Sequence, residues 1–263
     1  GLWFINQLDT DNIAYNVPVA VTISGELDVS QLEEPFQLII ARHENLRTVF
    51  PSWEGQPWQR ILDRLDFNLE RVDLSHYESK EARDRKAKEI CQADGAAPFD
   101  LARGPLFRGK VITLAEDEHI LMLVMHHIIS DGWSLGVLTR ELGLIMEALR
   151  QGRRPELAPL PIQFVDYSVW QRKWLEEGGV LKRQLAYWQG KLAGVPESLD
   201  LITDYPRPSA QSFARATHAF ALDAQLTGQL RSLAQQSGGT LYMILLAAFK
   251  VLLHRYTDQQ DIC

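Results

Sequence analysis

The apolar positions change period repeatedly along this chain, and each change predicts an element. Residues 17–24 alternate and are rich in β-branched side chains, the period of a half-buried strand. Asp28 or Ser30 then suits an N-cap, and Leu32, Phe36, Ile39, Ile40 and Leu46 follow as one apolar stripe at helical spacing. Pro35 falls near the first turns of that helix, where it is tolerated. Residues 58–61 and 67–72 predict short strands, and Ser79 opens a charged helix over 80–93. Residues 106–114 and 120–125 flank Glu116, Asp117 and Glu118 as a hairpin. A helix is predicted over 135–149. Residues 151–161, with Pro155, Pro159 and Pro161, lack periodicity and form the best linker. Beyond it, 162–174 and 181–192 predict helices rich in Trp and Tyr, and 218–222 a strand. Asp223 caps a helix to about residue 236, Ser237-Gly238-Gly239 breaks it, and Thr240 caps an apolar helix to 256. The pattern is mixed α/β, without an internal repeat.

The apolar run 120–125 leads straight into His126-His127-Ile128-Ile129-Ser130-Asp131-Gly132-Trp133-Ser134. A buried strand thus ends in two histidines, turns through Asp-Gly and feeds a helix, placing a titratable base at a strand's carboxyl end. Adjacent strand side chains point to opposite faces. If the strand runs to the end of the pair, one imidazole reaches a reactive centre and the other packs behind it. That geometry argues against a chelate, whose ligands converge on one point, and no metal is expected. Asp131 suits local hydrogen bonds in a turn, and Gly132 permits backbone angles that other residues do not. An anion at a helix start is favoured by the macrodipole, and Ser134 reads as the N-cap. A lone histidine beside an apolar run is more often a satisfied structural residue, and Asp-Gly after a strand is more often only a turn. The full constellation is tighter than either.

Composition narrows the classes. Hydrophobic residues make up 46% and charged residues 23% of 263 positions, enough for one large core or two modest ones. Lys plus Arg total 27 against 34 Asp plus Glu, a formal net charge of −7. The nearest basic cluster, Arg150, Arg153 and Arg154, sits beside Pro155, so nucleic acid is not an expected partner. The two cysteines, Cys91 and Cys263, make neither a disulfide framework nor a metal cluster, which fits a reducing, cytoplasmic setting. No apolar run nears 18 residues and no signal peptide is evident, so no membrane association is expected. The chain opens at Gly1 into Leu2-Trp3-Phe4 and stops at Asp261-Ile262-Cys263, where a strand is expected to begin, so it reads as a fragment.

Four stretches together resemble one family. Arg42-His43-Glu44-Asn45-Leu46-Arg47-Thr48-Val49-Phe50 resembles the motif RHExLRTxF at every fixed position, and Met125 to Ser134 resembles MHHxxxDGWS. Phe164-Val165-Asp166-Tyr167-Ser168-Val169-Trp170-Gln171 is similar to Y-x-D-[FY]-A-x-W, with Phe164 for Tyr and Ser168 for Ala. Leu2-Trp3-Phe4-Ile5-Asn6-Gln7-Leu8 looks like the tail of the opening motif, without its preceding Ser-x-Ala-Gln. In this order they resemble the condensation domain of non-ribosomal peptide synthetases, in the HHxxxDG acyltransferase superfamily. The resemblance implies an α/β fold, an α+β two-layer sandwich like chloramphenicol acetyltransferase. It divides the chain into an N-terminal lobe at 1–160, connecting helices at 161–198, and the incomplete beginning of a C-terminal lobe at 199–263. On their own spacing, Phe164, Tyr167 and Trp170 read mainly as a core stripe.

The resemblance also implies a reaction: amide formation between a carrier-bound donor acyl or peptidyl thioester and a carrier-bound acceptor aminoacyl amine. His127, the second histidine, is the expected general base, with Gly132 and His126 completing the catalytic set. An unperturbed imidazole, at about 6.5, suits neutral pH. An α-amine at about 7.7–8.0 is already partly neutral there, so His127 acting only to orient it stays open. The Gly132 N–H is expected to face the oxyanion. Asp131, Arg42, Arg47, Trp133 and Ser134 are expected to support the site. Asp131 is expected to make a structural ion pair with an arginine, which could be Arg42, Arg47 or one in the missing half. No cofactor is expected to be bound covalently. Substrates arrive on phosphopantetheine arms of donor and acceptor peptidyl carrier domains, beside an adenylation domain. The residues around Asp131 to Val137 look closest to members taking an L-configured donor end. The resemblance places the site in a tunnel between two similar lobes, and with half of that tunnel's wall absent the isolated chain is expected to be inactive. Other carrier- or CoA-dependent HHxxxDG acyltransferases, an epimerisation domain, and a non-catalytic recruitment domain are the alternatives.

Overall fold

The computed structural model describes residues 1–196, 198–206 and 218–262. In chain order the elements begin with α1 (Leu2–Leu8), β1 (Asn16–Ser24), a 3-10 turn (Val29–Leu32), α2 (Glu33–Arg42) and a second 3-10 turn (Glu44–Arg47). Short strands β2 (Thr48–Val49), β3 (Ser52–Trp53), β4 (Gln56–Pro57) and β5 (Arg60–Ile61) precede β6 (Leu69–Asp73). Then come α3 (Lys80–Gly95), β7 (Phe107–Ala115), β8 (Glu118–His126), α4 (Gly132–Arg150), α5 (Phe164–Glu176), α6 (Val180–Lys191), α7 (Ala224–Gln236) and α8 (Leu241–Thr257). Two compact units result, Gly1–Trp174 and Leu175–Cys263.

The first unit is built on a four-stranded sheet in the order β1-β8-β7-β6. β7 and β8 are an antiparallel hairpin, β1 adds antiparallel to β8, and β6 pairs parallel with β7. The parallel pair requires a crossover, which α3 supplies. One sheet face carries Phe107, Val111, Leu121, Leu123 and Met125 into a core with Phe36, Ile39 and Ile40 of α2 and Leu138, Leu142 and Ile145 of α4. On the other face Ala87 of α3 packs with Leu74, Ile112 and Leu114. Because both faces are covered, 121–126 is buried throughout, which explains an unbroken apolar run where a half-exposed strand would alternate. Within the core Phe67 stacks on Phe107 at 4.8 Å between ring centres. Gly109 leaves room for that stack, since a Cβ there would meet Phe67 Cζ at 2.7 Å and Leu69 Cδ1 at 2.8 Å.

Local chemistry sets several boundaries as expected. The Ser79 hydroxyl accepts from Ala82 N, the Asp223 carboxylate from Leu226 N and the Thr240 hydroxyl from Met243 N, each at a helix start. Three expectations are corrected. The single stripe from Leu32 to Leu46 is two 3-10 turns around α2, broken where His43 adopts extended angles (φ −101°, ψ 99°), although Leu46 still reaches the core. Residues 218–222 form no strand, because no strand among the described residues offers them a hydrogen-bonding ladder. Phe164, Tyr167 and Trp170 are not a core stripe: they are 49%, 39% and 55% exposed, and their rings meet at tilted angles along α5. Side chain to side chain along one helix, rings can satisfy i, i+3 spacing without any partner element.

In the second unit α7 and α8 join through a left-handed Gly238 (φ +63°), with Gly239 N donating to the Ala234 carbonyl. Among the described residues no single helix is long and apolar enough to cross a membrane.

Candidate active site

β8 stays paired with β1 through its last residue, His126 lying opposite Asn16. The His126 ring is 1% exposed, edge-on to Phe99 at 6.1 Å. Its Nδ1 accepts a hydrogen bond from Ile128 N at 3.0 Å, which requires the neutral lone pair. Burial pushes its pKa down to about 4, helped by the neighbouring charge of His127. His126 is therefore a neutral wedge inside the turn.

His127 has left the ladder. Its N–H donates to the Tyr15 carbonyl at 2.8 Å and its side chain is exposed. Nδ1 lies 2.7 Å from the Ser130 carbonyl oxygen. A carbonyl only accepts, so Nδ1 carries the proton and the neutral ring presents the Nε2 lone pair. The histidines are thus separated, one inside and one outside, although His127 lies past the last residue of β8.

The turn is tied back on itself. Ile129 N donates to the His126 carbonyl at 3.0 Å, and Ser130 Oγ to the same oxygen at 3.3 Å. From the second 3-10 turn, Asn45 Nδ2 donates to the Ile129 carbonyl at 2.5 Å. Asp131 caps α4: its carboxylate accepts from Ser134 N at 2.8 Å and Ser134 Oγ at 2.6 Å. Ser134 Oγ in turn accepts from Asp131 N, completing a capping box. Those bonds from Ser134, hydroxyl first, hold the Asp131 carboxyl below the usual range. Ser134 is thus the third residue of the helix and not its cap, because the chain turns helical at Gly132.

Gly132 occupies the first helical position, whose N–H a helix leaves without an intrahelical acceptor. Its angles lie outside the left-handed region and a Cβ there meets nothing within 4 Å. The expectation that a special backbone angle requires this glycine is overturned. What an added methyl group would occupy is the open space before the helix end. Trp133 is 84% exposed. Its ring borders a cavity of about 260 Å³ with His43, Asn45, Met125, Ser130 and Val137. Ile128 borders another of about 840 Å³ with Trp3, Phe50, Trp58 and Arg172.

Arg42 and Arg47, two of the partners the resemblance offered Asp131, are engaged elsewhere. Arg42 Nε lies 3.1 Å from Glu141 Oε2, and its Nη2 donates to the Ala158 carbonyl at 2.7 Å. His43 Nε2 meets the same carboxylate at 2.7 Å. Burial pushes the Glu141 carboxyl up, but hydrogen bonds from His43 and Arg42 outweigh it and leave it below the usual range. Arg47 donates to the Leu62 carbonyl and lies 3.6 Å from Glu44. Neither arginine pairs with Asp131, whose carboxylate is already committed to Ser134. Sequence reasoning misses Glu141, yet a signal exists: a carboxylate within the apolar stripe of Leu138, Leu142 and Ile145. Gln163 closes the arrangement, donating to the Arg42 carbonyl at 2.9 Å and accepting from Glu44 N at 3.2 Å. Among the described residues no group of acidic, His or Cys side chains is placed to hold a metal ion.

A family model described as "Condensation domain" matches residues 1–263. The chain belongs to the condensation-domain family. Bacitracin synthase 2 of Bacillus licheniformis is 40% identical over 261 residues, which cover 99% of this condensation domain's chain and 9% of the relative. Malpibaldin synthetase of Mortierella alpina is 42% identical over 263 residues, again 99% of this chain and 5% of the relative. The chain therefore spans a small part of the curated relatives it matches. Among solved structures, the first condensation domain of the calcium-dependent antibiotic synthetase, in complex with substrate analogue 2a, gives a TM-score of 0.81 at 26% identity. That match covers 99% of this chain and 60% of the other. The X-domain in complex with OxyB from teicoplanin biosynthesis gives 0.81 at 31% identity, over 97% of this chain and 55% of the other. The fold is thus the mixed α/β, chloramphenicol-acetyltransferase-like fold of condensation domains.

Proposed function

We propose that this condensation domain forms an amide between two carrier-bound substrates in non-ribosomal peptide synthesis, with His127 as the reacting imidazole. The observation that carries the reading is the exposed His127 ring with its Nδ1 proton committed to Ser130 and its Nε2 lone pair outward. An acceptor amine nitrogen attacks the donor thioester carbon, forming the C–N bond. Nε2 takes the amine proton, and as the tetrahedral intermediate collapses the C–S bond breaks and the proton passes to the thiolate. The Gly132 N–H is assigned to the oxyanion. Asp131, Ser134, Trp133, Arg42 and Arg47 support the site, and buried His126 shapes the turn.

Both substrates arrive as thioesters on phosphopantetheine arms of donor and acceptor peptidyl carrier domains, served by an adenylation domain, with an L-configured donor end. No resident cofactor is assigned, and the reaction is placed in the cytoplasm. Residues 1–160 are assigned to the N-terminal lobe, 161–198 to connecting helices and 199–263 to the start of a C-terminal lobe. Membership of a family found in peptide synthetases supports these assignments.

A second reading has one observation behind it: similarity to the X-domain, a structure in complex with OxyB, favours a recruiting role without chemistry. pH–rate profiles of the intact synthetase and its His127→Ala variant decide. General-base catalysis predicts a loss of about 10²–10⁴-fold together with the acidic limb. A variant that keeps that limb refutes the base assignment, and a parent without carrier-dependent turnover favours recruitment.

A further inference from the structure

We infer that Asn45 is a positioning residue for His127, acting through the Ile129–Ser130 peptide unit; the inference rests on His127 being the reacting imidazole. Asn45 occupies a variable position of the RHExLRTxF stretch, so no motif marks it. Its Nδ2 lies 2.5 Å from the Ile129 carbonyl oxygen. That oxygen and the following Ser130 N–H share one rigid plane. Fixing the plane restricts ψ of Ile129 and φ of Ser130, which place the Ser130 carbonyl carbon, while Asp131 N bonded to Ser134 Oγ holds the plane of that carbonyl from its other end. The Ser130 carbonyl is the one that receives the His127 Nδ1 proton.

Other polar contacts of the turn do not hold the Ile129–Ser130 plane from outside. Ile128 N, Ile129 N and Ser130 Oγ all return to His126. The Asn45 amide instead comes from the 3-10 turn after α2, whose Leu46 is buried in the core. It borders the same cavity as Ser130 and Trp133. A carbonyl acceptor also decides the amide's orientation, since only the NH₂ end can donate to it. Asn45 thereby couples a core-anchored segment to the tautomer of an exposed ring 82 positions later.

The test is the His127 tautomer in the full chain labelled with ¹⁵N-histidine, read from long-range ¹H–¹⁵N spectra. In the parent, neutral His127 carries its proton on Nδ1, while His126 carries it on Nε2 and serves as an internal reference. Loss of one hydrogen bond, in Asn45→Ala and in Asn45→Leu, which fills similar space without a donor, lowers the Nδ1–H to Nε2–H ratio about three- to tenfold. The His126 signal stays unchanged. An unaltered His127 ratio in either folded variant, or loss of the fold in both, overturns the inference. A His127→Ala synthetase that keeps full turnover refutes the functional reading instead and leaves the tautomer result standing.

Discussion

Arg42 and Glu141 lie 99 positions apart in the chain and meet at 3.1 Å, at the end of one core helix and the middle of another. The carboxylate is almost fully covered and also takes the His43 proton donor, so one residue gathers two neighbours from the RHExLRTxF stretch. Removing it leaves a half-buried guanidinium with one carbonyl partner. Glu141→Ala is expected to lower unfolding free energy by about 3 kcal/mol, measured by urea denaturation. Adding Arg42→Met to a Glu141→Leu change is expected to recover much of that loss, because the second charge is then no longer stranded. A cost under about 1 kcal/mol for Glu141→Ala would show that the pair is incidental.

His126 makes the fold sensitive to acid. Its pKa is depressed in the folded state to about 4, against about 6.5 when unfolded, so the unfolded chain binds the extra proton between these values. The stability that neutral His126 contributes is full above about pH 6.5 and is lost as pH falls towards 4. Between about pH 7 and pH 5 the expected loss from this group is about 2 kcal/mol. Denaturation of the parent and of His126→Phe at both pH values measures it. An equal pH response in the two proteins contradicts the assignment.

Two glycines make opposite predictions. Gly109→Ala forces a methyl group against Phe67 and Leu69, so it is expected to destabilise by about 1–3 kcal/mol. Gly132→Ala meets only open space at a helical position and is expected to change stability by less than about 1 kcal/mol. Turnover lost in a stably folded Gly132→Ala synthetase then reports on approach to the helix end. Unchanged turnover removes Gly132 from the proposed machinery.

At Asp131 the partner is the Ser134 N–H and hydroxyl, and among the described residues no arginine pairs with it. Asn caps a helix about as well as Asp, so Asp131→Asn is expected to keep stability within about 0.5 kcal/mol, while Asp131→Ala loses about 1 kcal/mol. Thermal unfolding distinguishes the two, and a loss in Asn equal to that in Ala would show that the charge itself matters.

Short-range patterns are legible in the sequence. Alternation, stripes and capping residues locate β1, α3, β7, β8, α7 and α8, because each depends on neighbours within a few positions. Strand alternation predicts that His126 and His127 part, but His127 lies past the last residue of β8, so the turn sets its exposure. The cap of α4 does not, because Asp131 and Ser134 are both good caps and only the angles after Asp131 decide between them. The exposed aromatic row of α5 escapes a pattern reading because helical spacing reports a shared face and says nothing about what covers it.

By itself the sequence determined most of the longer elements, the family motifs and the place of a base at a strand's end, since covalent order and side-chain period carry that information. The tertiary structure decided which histidine is neutral and buried, which ring nitrogen bears the proton, and that Arg42 answers to Glu141. It also brought Asn45 to the Ile129 carbonyl. The Arg42–Glu141 and Asn45–Ile129 contacts join residues 99 and 84 positions apart, where packing of α2 and α4 on the sheet sets distances that no local pattern encodes.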